Sequence, residues 1–333
     1  MPKFNPADLL EKLGTTVLTF ETREEWLEAR KGFLTASDAA VILGESPYSS
    51  KYALAQEKLG YNLAPVEADY LEAGRRMEPV IAQWFEDETG YATFDPGTYA
   101  LVTNPKHPWL AATLDRVAIG PGKSGEVRVL ELKNPNAFKL HEWEEDVPFH
   151  FHVQNQVQML CTGLCQGAIA SIVGGRHFRY LMTERHDALC KHVLKETETF
   201  WKDIQDGVVP EPDGHPATGE ALKSIYPEGE PERIPLPQEF DELMVEFERL
   251  REDRKALDGR FDEIKHKVEA VLGDAHEGYT PNGKWTWKPQ GGNLKKHIEV
   301  ERAEVEALEA AGIRYKDVWT PRFRVLRCKR KGG

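Results

Sequence analysis

The stretch VRVLELK, residues 127–133, constrains this chain more than any other. Its valines and leucines suit a strand, and the turn-forming PGKSGE (121–126) precedes it. Side chains alternate across a strand, so Leu130 and Leu132 share one face while Glu131 and Lys133 share the other. An isolated E-x-K pair is ordinarily a solvated ion pair worth little. The surrounding sequence decides whether this one is more.

The length of 333 residues allows one large domain with a smaller one, and 40% hydrophobic against 29% charged residues fits a soluble protein. No apolar run approaches the roughly 20 residues of a membrane helix, and MPKFNPADLL lacks the basic-then-apolar layout of a signal peptide. The expectation is a cytoplasmic protein with no membrane partner. Cys161, Cys165, Cys190 and Cys328 are too scattered for a disulfide framework and form no C-x-x-C pair. A net charge of −12 argues against indiscriminate coating of nucleic acid, but it leaves room for a basic cleft in an acidic shell.

Periodicity predicts helices over 22–32, with Thr22 and Glu25 as a capping box, and over 35–44, capped by Thr35 or Ser37. Further helices are expected at about 49–59 and 69–89. Strands follow at roughly 92–95, 98–103, 110–119 and 126–133. A helix from Pro148 to Gly163 comes next, then strands at 166–173 and 177–183 around Gly174–Gly175, and a helix at 184–206. This gives an α/β (α+β) domain over 1–206. A connector at 207–237 begins with the Pro/Gly-rich GVVPEPDGHP, and residues 238–333 form a C-terminal helical arm and a small tail. The arm, 238–273, reads as a helical hairpin or a coiled-coil element. A hairpin turning at Asn282–Gly283, a helix near 301–311 and a strand at 322–328 complete the tail.

Asp115 interrupts the apolar strand that precedes the Glu131 strand, and antiparallel pairing would bring the two carboxylates together. Such a pair repels unless a cation lies between them, and Mg²⁺ suits an all-oxygen pocket. Lys133 would then stand beside the metal, able to orient water or neutralise a phosphate. Gln156 falls inside the apolar stripe of its helix, and Glu78 beside that of another, so both are candidate site residues.

Five motifs occur together in order: R-x-G-x-x-T-A-S (Arg30–Ser37), EAGRRMEP (72–79), ATLD (112–115), ELK (131–133) and QVQ (156–158). Over roughly residues 22–183 the chain resembles the phage lambda exonuclease-like, YqaJ-type viral recombinase nucleases. The family usually has proline where Leu114 stands, a position that bears no ligand. The resemblance implies a restriction-endonuclease-like PD-(D/E)xK core, with a mixed central sheet flanked by helices. It implies Asp115, Glu131 and the Leu132 carbonyl as ligands of Mg²⁺, with Mn²⁺ as a substitute, and Lys133 as the catalytic lysine. Glu78 and Gln156 would lie near the metals or the water, with Arg30, Ser37 and Thr113 on DNA phosphates.

The implied activity is 5′-to-3′ exonuclease action on double-stranded DNA ends in the bacterial host cytoplasm. It would leave 3′ overhangs for a single-strand annealing protein. A trimeric ring is implied as well, with Arg75, Arg76, Lys139, Arg176 and Arg179 as candidate lining residues. Two alternatives remain: a DNA-end-binding recombination scaffold with weak or no nuclease activity, and a RecB-like iron–sulfur nuclease, which the cysteine spacing disfavours. In the tail, Trp285 and Trp287 read as a small core. The basic RFRVLRCKRKGG end reads as a contact for DNA or for a protein partner.

Overall fold

Helix caps in the sequence start the elements that carry the site. The Thr22 side chain accepts from the Glu25 N–H at 3.2 Å, and Thr35 and Asp38 form a reciprocal capping box. In the computed structural model, which describes residues 5–61, 69–122, 125–144, 146–228, 233–290 and 323–330, two compact units form, residues 1–230 and 231–333. The helix expected near 301–311 lies outside the described residues.

The first unit begins with α1 (Pro6–Lys12), β1 (Thr16–Thr19), α2 (Arg23–Lys31), β2 (Leu34–Thr35), α3 (Ala36–Ile42), α4 (Lys51–Lys58) and α5 (Asp69–Thr89). Then come β3 (Ala92–Phe94), β4 (Ala100–Thr103), β5 (Leu110–Ala112), β6 (Arg116–Ile119) and β7 (Val127–Lys133). A 3-10 helix (Ala137–Trp143), α6 (Phe149–Thr162), β8 (Gln166–Val173), β9 (His177–Glu184), α7 (Asp187–Gln205) and α8 (Pro216–Ile225) complete it.

Two mixed sheets result, ordered β1-β4-β5-β2 and β3-β6-β7-β8-β9. In the larger one β6 and β7 run antiparallel, while β7 and β8 run parallel because α6 crosses between them. The α/β class and its helix-flanked mixed sheet are borne out. The single strand expected over 110–119 is two strands in different sheets: β5 pairs with β4 and β2, β6 with β3 and β7. The chain passes from one sheet to the other through Thr113, Leu114 and Asp115.

On one face of the larger sheet, Ile81, Ala82 and Phe85 of α5 pack against Leu130, Leu132, Ala168 and Ala170. The other face carries Val129 into a core with Val153 and Val157 of α6. The alternation read from VRVLELK therefore holds, and Glu131, only 2% exposed, lies on the α6 side. Phe85 is fully buried, and truncating such a residue to alanine costs about 3–5 kcal/mol. Gly163 ends α6 in the left-handed conformation (φ +74°), which frees the chain to turn into β8.

Part of the segment expected to be a connector is α8, which packs on α4 through Ala221 against Tyr52 and Ala53. The Thr218 hydroxyl donates to Ser50 Oγ at 2.7 Å. The Pro/Gly-rich start hid a helix that Pro216 itself initiates.

The second unit contains α9 (Glu239–Leu272) and an antiparallel sheet of β10 (Glu277–Thr280), β11 (Gly283–Gln290) and β12 (Phe323–Arg330). The arm is one continuous helix rather than a helical hairpin. The β10–β11 turn is Pro281–Asn282, one residue earlier than expected, because Gly283 already pairs with Thr280. Trp285 and Trp287 are half-buried.

Candidate active site

Antiparallel pairing sets Arg116 opposite Leu130, so Asp115 reaches the level of Glu131 and Leu132. The Leu132 N–H donates to Asp115 Oδ2 at 2.7 Å. One pleat away, Lys133 Nζ lies 2.5 Å from Glu131 Oε1. The structure thus brings together Asp115, Glu131 and Lys133.

Glu78 approaches from α5. Its carboxylate lies 4.0 Å from Arg116 Nη1, and Arg116 also faces Asp95 at 3.9 Å. Burial, followed by the Glu131 carboxylate, pushes the Asp115 carboxyl well above the usual aspartate range, against the pull of Lys133. Burial likewise raises Glu78, with Arg116 pulling down and Glu131 pushing up. For Lys133 burial alone would lower the pKa, but Glu131 and Asp115 outweigh it and the net direction is up, so the ammonium form is favoured.

Gln156 does not reach this cluster. Its amide donates to the Glu184 carbonyl at 2.9 Å and accepts from the His186 N–H at 2.7 Å, with Cys190 Sγ 3.3 Å away. The sequence reading was right that a buried amide there needs partners, but those partners are the junction of β9 and α7. Residues two apart on a helix point to different sides, whereas four apart share one. Gln154 and Gln158 are the pair that faces Glu131. Gln154 donates to Oε1 at 2.6 Å and accepts from Lys133 at 3.2 Å, and Gln158 donates to Oε2. Their i,i+4 spacing was the signal that could have found them.

Other nearby groups were also missed. Lys133 sits 4.6 Å above the Phe151 ring, and the His150 ring lies tilted beside Phe151, with ring centroids 4.0 Å apart. Burial, then Lys133, lowers the His150 pKa to about 4, which keeps that imidazole neutral at physiological pH.

Thr113 also borders the cluster. Its carbonyl accepts from Gln158 at 3.3 Å, and its Oγ1 is buried without a hydrogen-bond partner. Arg30 lies elsewhere, at the end of α2, with its guanidinium 4.5 Å above the Trp26 ring. Ser37 is exposed in the first turn of α3 and contacts Thr35 Oγ1 at 3.1 Å. No hydrogen bond joins Arg30 to Ser37, and Asp38, the residue after Ser37, is paired with the buried Lys58 at 2.9 Å. Of the candidate lining residues, Arg75 and Arg76 pair with Glu72, and Lys139 pairs with Glu142 at 2.5 Å. Arg176 and Arg179 are exposed.

Among the described residues no three His, Cys, Asp or Glu side chains converge as a ready metal cage. The donor chemistry nevertheless fits a hard divalent cation. Two mutually repelling carboxylates, Asp115 and Glu131, meet beside an unpartnered threonine hydroxyl, and every donor is oxygen. Cys161 and Cys190 are buried thiols whose pKa burial raises, that of Cys190 to about 11. No described helix is long and apolar enough to cross a membrane.

The first unit is thus a helix-flanked mixed sheet with an Asp, a Glu and a Lys gathered at the end of an antiparallel pair. Residues 25–165 match the family described as the YqaJ-like viral recombinase domain, within the stretch over which the motifs carry that resemblance. The protein YqaJ of Bacillus subtilis (strain 168) is 29% identical over 276 residues, spanning 80% of this chain and 84% of that protein. Among solved structures, the alkaline exonuclease LHK-Exo from Laribacter hongkongensis is 24% identical with a TM-score of 0.45. That match covers 55% of this chain and 93% of the other. A phage-related exonuclease from Haemophilus somnus 129PT is 14% identical with a TM-score of 0.40, over 53% and 96%.

Proposed function

We propose that this chain is a Mg²⁺-dependent nuclease that degrades linear double-stranded DNA from its 5′ ends. It would leave 3′ overhangs for a single-strand annealing protein during phage-type recombination in a bacterial cytoplasm. One observation carries the reading: Asp115 and Lys133, both half-buried, gathered around the buried Glu131, with the ammonium 2.5 Å from Glu131. The YqaJ-like domain match and the likeness to proteins described as exonucleases support it.

Asp115, Glu131 and the Leu132 carbonyl would hold the cation, with Mn²⁺ as a substitute. When bound, it supplies positive charge for phosphate oxygens and a more acidic water. Gln154 and Gln158 fix the Glu131 carboxylate by donating to both of its oxygens. Lys133, favoured as ammonium, stands where it can neutralise charge gathering on a phosphate. Glu78, raised by burial, holds a proton more readily than an exposed glutamate. Arg30 and Ser37 are assigned to a 5′-terminal phosphate, since guanidinium can grip phosphate through two parallel hydrogen bonds. A homotrimeric ring is the assembly proposed for the nuclease unit.

The test uses linear duplexes labelled at either 5′ or 3′ ends, bearing 5′-phosphate or 5′-hydroxyl, with and without Mg²⁺. Progressive loss from 5′-phosphorylated ends only with the cation is expected, with Arg30→Ala erasing the preference for phosphate. Tight binding to ends with no cleavage under any divalent cation would instead favour the scaffold reading.

A further inference from the structure

None of the 34 residues of α9 is buried, yet its apolar residues follow a strict seven-residue repeat. The a positions are Phe240, Phe247, Arg254, Phe261 and Val268. The d positions are Leu243, Leu250, Leu257, Ile264 and Val271. Nearly five heptads with one polar interruption form a seam that a surface helix has no reason to carry. The seam is open: Phe247 is 64% exposed, and Leu257 and Phe261 are each 70% exposed. Among the large apolar residues of α9, Val245 alone points directly away from it.

We propose that α9 pairs with α9 of a second copy of this chain as an antiparallel coiled coil. The charges flanking the seam select both the partner and the direction. In a parallel pair each g position meets the e position of the next heptad. Asp253 would then face Asp258 and Arg260 would face Lys265, two repulsions repeated by symmetry. In an antiparallel pair g meets g and e meets e. Sliding the helices until Phe240 of one meets Val271 of the other aligns every seam position, with Phe247 on Ile264 and Leu250 on Phe261. In that register Glu246 faces Lys267, Asp253 faces Arg260 and Arg251 faces Asp258, each occurring twice and each attractive.

The polar exception fits the same register. Arg254 lies next to the dyad and meets Leu257 of the second copy. A single polar group at an a position disfavours slipped alignments, because slipping would place it against other apolar layers. This pairing is separate from any assembly made by the nuclease unit and does not depend on its activity.

Sedimentation equilibrium of the full chain tests the proposal. Wild type is expected to associate reversibly. Leu250→Asp places two carboxylates per pair against Phe261 and should raise the dissociation constant at least ~100-fold. Arg260→Glu sets like charges face to face in the antiparallel pair and should weaken association about tenfold. The exchange Asp253→Arg with Arg260→Asp should restore it, which shows that the helix still folds. An association state unaltered by Leu250→Asp overturns the proposal. Tighter association of Arg260→Glu, which in a parallel pair would face Lys265, overturns the antiparallel direction.

Discussion

Replacing Asp115 by asparagine should make the cation-free protein more stable while abolishing cleavage. The Asp115 carboxyl is held near Glu131 and Glu78, and burial and these charges raise its pKa well above the usual range. Asparagine has the same shape and keeps an oxygen for the Leu132 N–H, which now donates at 2.7 Å, so the substitution removes repulsion at little structural cost. Relief of this kind is worth about 1–2 kcal/mol. At roughly 2–4 °C per kcal/mol for a unit of this size, the melting temperature in EDTA at pH 7.5 should rise by about 2–8 °C. Because the folded-state pKa lies above the unfolded one, wild type loses stability as pH climbs from about 4 through the folded value, and the variant does not. The gap should therefore close on acidification to about pH 4. Added Mg²⁺ reverses the order: wild type gains about 2.7 kcal/mol at a hundredfold excess over its Kd, and the variant gains much less. Thermal unfolding followed by circular dichroism reads all three arms. A variant less stable than wild type in EDTA at neutral pH would refute the claim that these carboxylates repel.

Lys133→Ala should lower cleavage at least ~10²-fold while DNA-end binding, followed by fluorescence anisotropy, persists. Gln158→Leu should cost about 10–100-fold in cleavage per folded molecule and also destabilise the fold by at least ~2 kcal/mol, because it leaves a buried Glu131 oxygen, the Thr113 carbonyl and the Asn155 amide without their partner. Gln156→Leu should also destabilise, by about 2–3 kcal/mol through the orphaned Glu184 carbonyl and His186 N–H, but with cleavage per folded molecule nearly unchanged. A chain ending at Glu230 should fold and bind cation, whereas one ending at Gly207 loses α8 and uncovers Tyr52 and Ala53. Its denaturant midpoint should fall measurably below that of the longer form.

The β7 strand was legible because period-two alternation survives any packing: Leu130 and Leu132 had to share a face, and Glu131 and Lys133 the other. The proximity of Asp115 to Glu131 followed from a short connection between neighbouring strands. Sequence could not show that the chain changes sheets at residues 113–115, since β5 and β6 are both apolar and nearly contiguous. Nor could an apolar stripe tell which glutamine of α6 faces the carboxylates. Gln156 sits in that stripe and is buried, but its partners come from β9 and α7, elements distant in sequence. The helix α8 was masked by the proline and glycine that precede it, although Pro216 is a favourable first residue.

The hand-over at residues 113–115 sets where this chain can change length. Ala112 closes a strand of one sheet and Arg116 opens a strand of the other, so the three residues between them are a bridge of fixed span. One extra residue there would shift β6 by a pleat and turn Asp115 away from Glu131. The opposite end of the same hairpin obeys a different rule. The turn between Ile119 and Val127 lies about 13 Å along the strands from Glu131, and lengthening it alters no register at the carboxylates. Insertions among relatives, or a tag spliced in by design, should accumulate at that outer turn and be absent from the bridge.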